Sequence, residues 1–203
     1  LVDIAGAKAS ELKFDALPGI GNDPLASLRK AAKQDALKGN RAARIETDGD
    51  GNGPAIHWSD DSRNVAVLVR AVDNKDRWLA TVDLAGKTLQ PRHRLTDPAW
   101  INWNFNDFGW LRDGKSLWYL SEESGYSHLH LSDGGKPRTL TSGKWEVSSP
   151  VSTADGNGFL QAEHTAHFEQ TQARLLARAV VGQGFHQARQ QGSAHHCQLG
   201  AQR

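Results

Sequence analysis

The chain has 203 residues, a formal net charge of +1 and a hydrophobic content of 38%, with a mean hydropathy of −0.58. Acidic and basic residues alternate without a basic run, which argues against a nucleic-acid or anionic-membrane partner. No apolar stretch approaches the roughly 18 residues of a membrane span, and the single cysteine, Cys197, cannot form an internal disulfide.

The first segment, residues 1–17, is predicted to be part of a repeating unit. Leu1–Gly6 (LVDIAG) repeats Thr81–Gly86 (TVDLAG). Residue 1 is not Met, and the chain contains no Met. We therefore expect the sequence to be a fragment that starts inside one unit of a repeat.

Residues 18–53 interrupt the repeat with a predicted helix and loop. Asp23 as the N-cap, Pro24 at the first helical position, apolar residues spaced by three and four, and a closing Gly39 predict a helix near 24–38. The helix is expected to lie on the outside or the rim of the repeat array.

The loop ends in Asp48–Gly53 (DGDGNG), which matches the first half of a calcium-binding loop. The twelfth position is Ser59 where a bidentate Glu is needed, and no predicted helices flank the loop. We interpret it as a flexible turn, with calcium binding as the alternative.

Two complete units follow, at residues 54–97 and 98–142. Each has a Trp-containing turn, Trp58–Ser62 or Trp110–Gly114, and β-branched and aromatic runs separated by Gly, Asp, Asn, Ser and Pro, a pattern typical of short strands. The predicted strands are Ala55–Trp58, Asn64–Arg70, Arg77–Leu84 and Pro91–Thr96, then Phe108–Leu111, Ser116–Leu120, Ser127–Leu131 and Lys136–Thr141.

Self-similarity at a period of about 40 to 50 residues predicts a β-propeller. Residues 143–160 start a further unit. The expected fold is therefore all-β: a partial β-propeller of about three four-stranded blades, with one inserted helix near 24–38 and an irregular C-terminal tail. A closed ring takes about four to eight blades.

Three features of the second unit are weighed as sites. Gly125–Leu129 is one residue short of a Gly-x-Ser-x-Gly nucleophile elbow, but a predicted strand follows, so Ser127 is not assigned as a nucleophile. Glu122–Glu123 could hold a substrate ammonium group, but turn carboxylates exposed to solvent are the preferred interpretation. Trp100–Trp110 could line a peptide-binding cavity, and packing of a long connection is preferred.

The tail, residues 161–203, differs in composition. It has no Asp, Asn, Lys, Pro, Ile, Trp or Tyr, but nine of the eleven Gln and five of the nine His. We hypothesise translation in a shifted reading frame; the alternative is a genuine disordered or helical extension around Leu175, Leu176, Val180 and Val181. A metal site formed by His164, His167, His195, His196 and Cys197 is considered and not assigned.

Three runs resemble the N-terminal propeller of dipeptidyl peptidase IV and its bacterial relatives in the prolyl oligopeptidase family. They are Asp107–Gly114 (DFGWLRDG), Leu117–Leu129 (LWYLSEESGYSHL) and Leu140–Val147 (LTSGKWEV). The resemblance covers roughly residues 40–160.

The resemblance implies a serine exopeptidase or oligopeptidase whose propeller caps an α/β-hydrolase domain and admits only short or unstructured peptides. The catalytic Ser, Asp and His of the family lie in that C-terminal domain, which we expect to be missing here. This chain alone would then have no catalytic, cofactor or metal residues. The family's substrate-holding glutamates occur in a different context, so their role is not transferred to Glu122 and Glu123.

For the parent protein the resemblance implies proteolysis of short peptides, with cleavage after Pro as one option. It also implies that the parent is a bacterial protein with a periplasmic or secreted location. Its substrate would be a peptide, and homo-oligomerisation is an option. Two rivals remain: a freestanding propeller that binds proteins, since this fold serves many functions, and a glycan-binding propeller, supported only by the Trp-rich segment.

Overall fold

The computed structural model describes residues 1–48, 53–153, 158–164 and 172–176, with side chains described up to Phe159. Nearly all of its regular structure is β. The strands are β1 Val2–Asp3, β2 Lys8–Ala9, β3 Ala43–Ile45, β4 Ile56–Trp58, β5 Val65–Ala71, β6 Asp76–Asp83, β7 Thr88–Thr96, β8 Phe108–Trp110, β9 Leu117–Ser121, β10 His128–Ser132, β11 Arg138–Thr139, β12 Glu146–Ser152, β13 Phe159–His164 and β14 Gln172–Leu176. The helix in the described part is α1, Ala26–Ala31.

The first sheet contains β3 to β7, and all of its pairs are antiparallel. Its inner edge is split: β3 pairs with the C-terminal half of β5 and β4 with the N-terminal half. Six of the seven residues of β5 are buried, because both faces of the sheet are covered.

The second sheet is a four-stranded meander of β8, β9, β10 and β11, each strand pairing with the next. One face turns towards the first sheet, where Phe108, Leu117 and Tyr119 pack on Leu68 and Leu79. Leucines of the other face pack on Val147 and Phe159 of the third sheet.

The third sheet has the order β12-β13-β14 and contains a bulge between Ser148 and Val151, within which Ser149 has a φ of +47°. Strands thus continue into the tail at 161–164 and 172–176, where an irregular chain was expected. Main-chain pairing along the free edge of β13 depends little on residue type, which explains why composition did not reveal β14. The rest of the tail lies outside the described residues.

Helix α1 is shorter than the predicted helix near 24–38. It has six residues, none of them buried, and Leu28 is 65% exposed. Asp23 accepts a hydrogen bond from the Leu25 amide and pairs with Arg29, while Leu25 occupies the N-cap position. A helix that packs no apolar face gains too little to extend.

The N-terminal segment covers the outer face of the first sheet. Leu17 and Ile20 are buried against Val67, Val69 and Trp78, and the Trp78 indole donates to the Pro18 carbonyl at 3.0 Å. Strands β1 and β2 form a separate hairpin. Assignment of residues 1–17 to a partial blade stays a prediction, as do the other domain boundaries.

Three antiparallel sheets thus pack face to face in chain order, and β4, β8 and β12 each lie at an edge of their sheet. This arrangement is a partial β-propeller, as the sequence predicts. Within the described ranges, no helix is long and apolar enough to cross a membrane.

Candidate functional site

A cavity of about 630 Å³ opens beside the edge strands β4, β8 and β12 of the three sheets. We call it the inner cleft. Its walls combine two carboxylates, one imidazole, two amides, a hydroxyl and two aromatic rings. The lining residues are Asp48, His57, Asn104, Asn106, Asp107, Phe108, Trp118 and Ser149.

His57 and Phe108 join the first and second sheets at the cleft. His57 is the central residue of β4, and its ring stacks on Phe108, the first residue of β8, with centroids 4.3 Å apart and planes at 15°. The Trp110 indole donates to the His57 carbonyl at 2.9 Å. Burial lowers the pKa of His57, although Asp48 and Asp107 lie near enough to favour its charged form.

Asp107 is held at the junction of the second and third sheets. Its carbonyl accepts a hydrogen bond from the Leu120 amide at 3.0 Å. Burial raises the pKa of its carboxyl, while a backbone hydrogen bond from Ser149 and the nearby His57 oppose the shift. A partly desolvated carboxylate beside an imidazole can accept hydrogen bonds from a cationic or amide ligand.

A buried guanidinium supports the amide wall of the cleft. Arg77 of β6 donates to the Phe105 carbonyl at 2.7 Å, to Asn106 Oδ1 at 3.0 Å and to the Leu120 carbonyl at 2.8 Å. The Asn106 amide in turn donates to the Trp103 carbonyl at 2.7 Å. Burial lowers the pKa of Arg77 to about 10, so the guanidinium stays charged at neutral pH.

A family model for the dipeptidyl peptidase IV (DPP IV) N-terminal region matches residues 40–160, which is more than half of the chain. The chain belongs to this family. The match contains the three blade-like runs and every residue that lines the inner cleft. No curated protein matches the chain.

Solved structures give weaker likenesses. A dipeptidyl aminopeptidase IV from Bacteroides ovatus is 16% identical with a TM-score of 0.49, over 64% of this chain and 20% of that one. Porphyromonas gingivalis dipeptidyl peptidase 4 is 18% identical with a TM-score of 0.49, over 64% and 17%. TolB from Acinetobacter baumannii is 16% identical with a TM-score of 0.46, over 61% and 32%. The chain spans a third or less of these proteins.

Ser127 has a structural role in this DPP IV N-terminal region. Its hydroxyl is buried and donates to the Val147 carbonyl at 2.9 Å. Strand β10 begins at the next residue. A buried, hydrogen-bonded hydroxyl at the start of a strand lacks the exposed geometry of a nucleophile elbow.

Of the glutamate pair, which was expected to be two solvated carboxylates, Glu123 is 46% exposed and Glu122 is partly buried. Burial raises the pKa of Glu122, whose carboxylate accepts a hydrogen bond from the Asn102 amide at 3.3 Å. Glu123 lies against His93 of the first sheet, with Oε2 and Nε2 3.0 Å apart. The turn folds back onto the contact between the two sheets, which a local sequence pattern cannot reveal.

The Trp-rich segment both packs and lines the cleft. Ile101 is buried, and the Trp103 ring lies 4.3 Å below the Arg70 guanidinium. Asn104, Asn106 and Phe108 line the cavity. Packing was the preferred interpretation; the asparagines between the aromatic residues supply the cleft wall.

The metal hypotheses gain no support from the described part of the chain. No group of three or more His, Cys, Asp or Glu side chains in the described ranges is arranged to hold a metal ion. Of the calcium-like loop, Asp48 and Gly53 hydrogen-bond to each other, and residues 49–52 lie outside the described ranges. His167, His195, His196 and Cys197 also lie outside them, and only the backbone of His164 is described.

Sequence reasoning missed His57 and Asp107 as cleft residues. One signal was available, because His57 lies within the first strand of a complete unit and Asp107 lies directly before one, close to the Trp turns at Trp58 and Trp110. First strands line the inside of a propeller. Polar residues at these positions could therefore have been proposed as cleft residues.

Proposed function

We propose that this chain forms part of the substrate-gating N-terminal propeller of a DPP IV-like serine peptidase. The family match over residues 40–160 carries the proposal. The role assigned to the chain is to admit and hold a peptide in the inner cleft, and the cleavage chemistry belongs to an α/β-hydrolase domain, as the resemblance implies.

The lining of the inner cleft suits a short peptide in extended form. Asn104 and Asn106 offer amide donors and acceptors for a peptide backbone, while Phe108 and Trp118 offer apolar surface. Asp107 adds an acceptor for a positively charged group, such as a free amino terminus. These residue types are typical of a site that orients a ligand without reacting with it.

The resemblance also supports proposals for the parent protein. These are hydrolysis of short peptides, with Xaa-Pro substrates as the first class to test, a periplasmic or secreted location, and homo-oligomerisation. The rival is a freestanding propeller that binds proteins, since the fold alone does not select between the two.

The coding DNA provides the test. We expect a Gly-x-Ser-x-Gly motif, followed by Asp and then His, in one of the frames downstream of codon 160. A stop codon, or further blades without that motif, would contradict the peptidase proposal and favour the binding module. An activity assay of the purified 203-residue chain is the control. The chain should not cleave chromogenic Xaa-Pro substrates, and cleavage would mean that it contains a catalytic group.

A further inference from the structure

The contact between the first and second sheets changes character along its length. One part is apolar, with Leu68 and Leu79 packed on Phe108 and Leu117. The other part is formed by His93 of β7, Tyr119 of β9, His130 of β10 and Glu123 of the β9–β10 turn. We call these four residues the histidine seam.

Three rings of the histidine seam lie in contact across the two sheets. Tyr119 and His130 are register partners on neighbouring strands, with centroids 5.2 Å apart and planes at 15°. His93, from the other sheet, lies 4.5 Å from Tyr119 and 6.4 Å from His130. The side chains of His93 and His130 are 8% and 2% exposed, so both imidazoles are shielded from water.

One carboxylate reaches both imidazoles. Glu123 Oε2 lies 3.0 Å from His93 Nε2, and Oε1 lies 3.5 Å from His130 Nδ1. The Glu123 side chain is 46% exposed, so it connects the buried rings with solvent. A single turn residue of the second sheet thus contacts titratable groups of both sheets.

Other charged and titratable groups face the seam from each element packed on it. Arg77 of β6 lies on the His93 side, and His128 of β10 lies beside His130. Thr139 of β11 places its hydroxyl 3.3 Å from His130 Nδ1. Glu122, next to Glu123, faces Arg77. Apart from the two glutamates, no negatively charged side chain in this set offsets a proton taken up by an imidazole.

The electrostatics keep both imidazoles neutral at neutral pH. Burial lowers the pKa of His93, which Arg77 lowers further and Glu123 raises. Burial also lowers the pKa of His130, to about 4, with Glu123 opposing and His93 and His128 adding to the shift. The Tyr119 hydroxyl and His130 Nε2 are buried without a hydrogen-bond partner among the described residues. Separation of the sheets would let these atoms meet water.

We propose that the histidine seam is a proton-sensitive contact: Glu123 holds the second sheet to the first through neutral His93, which lies against Tyr119 and neutral His130, and protonation of either imidazole loosens this part of the contact. The cause is the cost of an ion buried in a stack of aromatic rings beside the charge of Arg77. This contact does not depend on the proposed peptidase function, because a freestanding propeller would have the same seam.

The sign of the pH dependence follows from linkage. Each histidine has a lower pKa in the folded seam than its usual value of about 6.5, so the separated state binds more protons. The contact is therefore fully stable above about pH 6.5 and weakens as the pH falls towards 4. For each histidine, the equilibrium constant for separation of the two sheets rises by up to about tenfold for each unit by which the pH falls.

Histidine NMR titration of the full chain tests the charge states, with His93→Gln and His130→Gln to assign the signals. We expect both midpoints below 6.5. Glu123→Gln should lower both midpoints further, while the neighbouring Glu122→Gln should leave them unchanged. Midpoints at or above 6.5, or equal effects of the two glutamate substitutions, would overturn the proposal.

Amide hydrogen exchange tests the opening itself. After correction for the intrinsic rate, exchange in β7, β9 and β10 should accelerate at least tenfold from pH 6.5 to 5, while exchange in β5 stays constant. The variant His93→Phe/His130→Phe keeps ring stacking and should lose this acceleration. If the double variant retains the acceleration, the histidines do not control the contact. If the double variant does not fold, the single variant His130→Phe replaces it. In that variant the slope of the logarithm of the exchange rate against pH should be half that of the unsubstituted chain, and an unchanged slope contradicts the proposal.

Discussion

At the scale of single residues, Arg77 is the side chain on which both the cleft and the sheet contact depend. It donates to the Phe105 carbonyl and the Asn106 amide oxygen in the loop before β8, and to the Leu120 carbonyl in β9. Arg63, by contrast, has a side chain that is 83% exposed and pairs with Asp61 at 3.9 Å. The two arginines form a matched pair for substitution.

We expect Arg77→Leu to lower the free energy of unfolding by about 3 kcal/mol, because one buried and two partly buried acceptors lose a charged donor. Arg63→Leu should have no measurable effect, because exposed ion pairs contribute little. Urea denaturation of both variants measures the difference. Equal midpoints for the two would contradict the structural role of Arg77.

Asp107 is expected to select for a charged amino terminus in the inner cleft. Asp107→Asn should weaken binding of the tripeptide Ala-Pro-Ala about fivefold to tenfold, since one charged contact is worth roughly 1 kcal/mol. The amino-acetylated tripeptide should bind both forms equally. Titration calorimetry measures this, with the exposed turn residue Asp60→Asn as control. Loss of binding in the control, or equal losses for both peptides, would count against the cleft as the peptide site.

At the scale of elements, the sequence predicted those strands whose own residues and flanking turns have a typical strand pattern. All eight strands predicted in the two complete units are present, with ends within about three residues, because each alternates with Gly- and Asp-rich turns. Strand β3 was missed because it lies before the two complete units, in the segment assigned to a helix and loop, and pairs with the C-terminal end of β5. The predicted helix near 24–38 was too long because local caps specify a start but do not supply a packing partner.

A matched pair of leucines tests how these elements contribute to stability. Leu79 of β6 is buried between the two sheets, whereas Leu28 of α1 is exposed. We expect Leu79→Ala to cost about 2 to 5 kcal/mol through lost burial and a cavity. Leu28→Ala should be neutral. Thermal denaturation checks both, and a large loss for Leu28→Ala would mean that α1 packs against the core.

The inner cleft could not be predicted in the same way as the strands. Its residues come from positions as distant as Asp48 and Ser149, and they converge only when three sheets pack together. The Trp-rich segment indicated part of one wall, through Asn104 and Asn106. The role of Glu123 was also hidden, because its partner His93 belongs to the preceding unit.

At the scale of the whole molecule, the end of the family match coincides with the point at which the amino-acid composition changes. The match ends at Leu160, and the Gln- and His-rich sequence begins at Gln161. We therefore expect that resequencing will show a shifted frame at this point and that another frame will encode blade-like sequence. An intact frame, with no such sequence in the others, would mean that the tail is a genuine extension.

The three donor contacts of Arg77 have a mechanical consequence. The same guanidinium fixes the Asn106 wall of the cavity and the Leu120 backbone of the adjoining sheet. A sliding motion of one blade past the next must therefore pull the amide wall along with it. The width of the inner cleft would then change when the contact between the first two sheets changes. Protonation at the histidine seam would therefore alter how a peptide binds in the inner cleft.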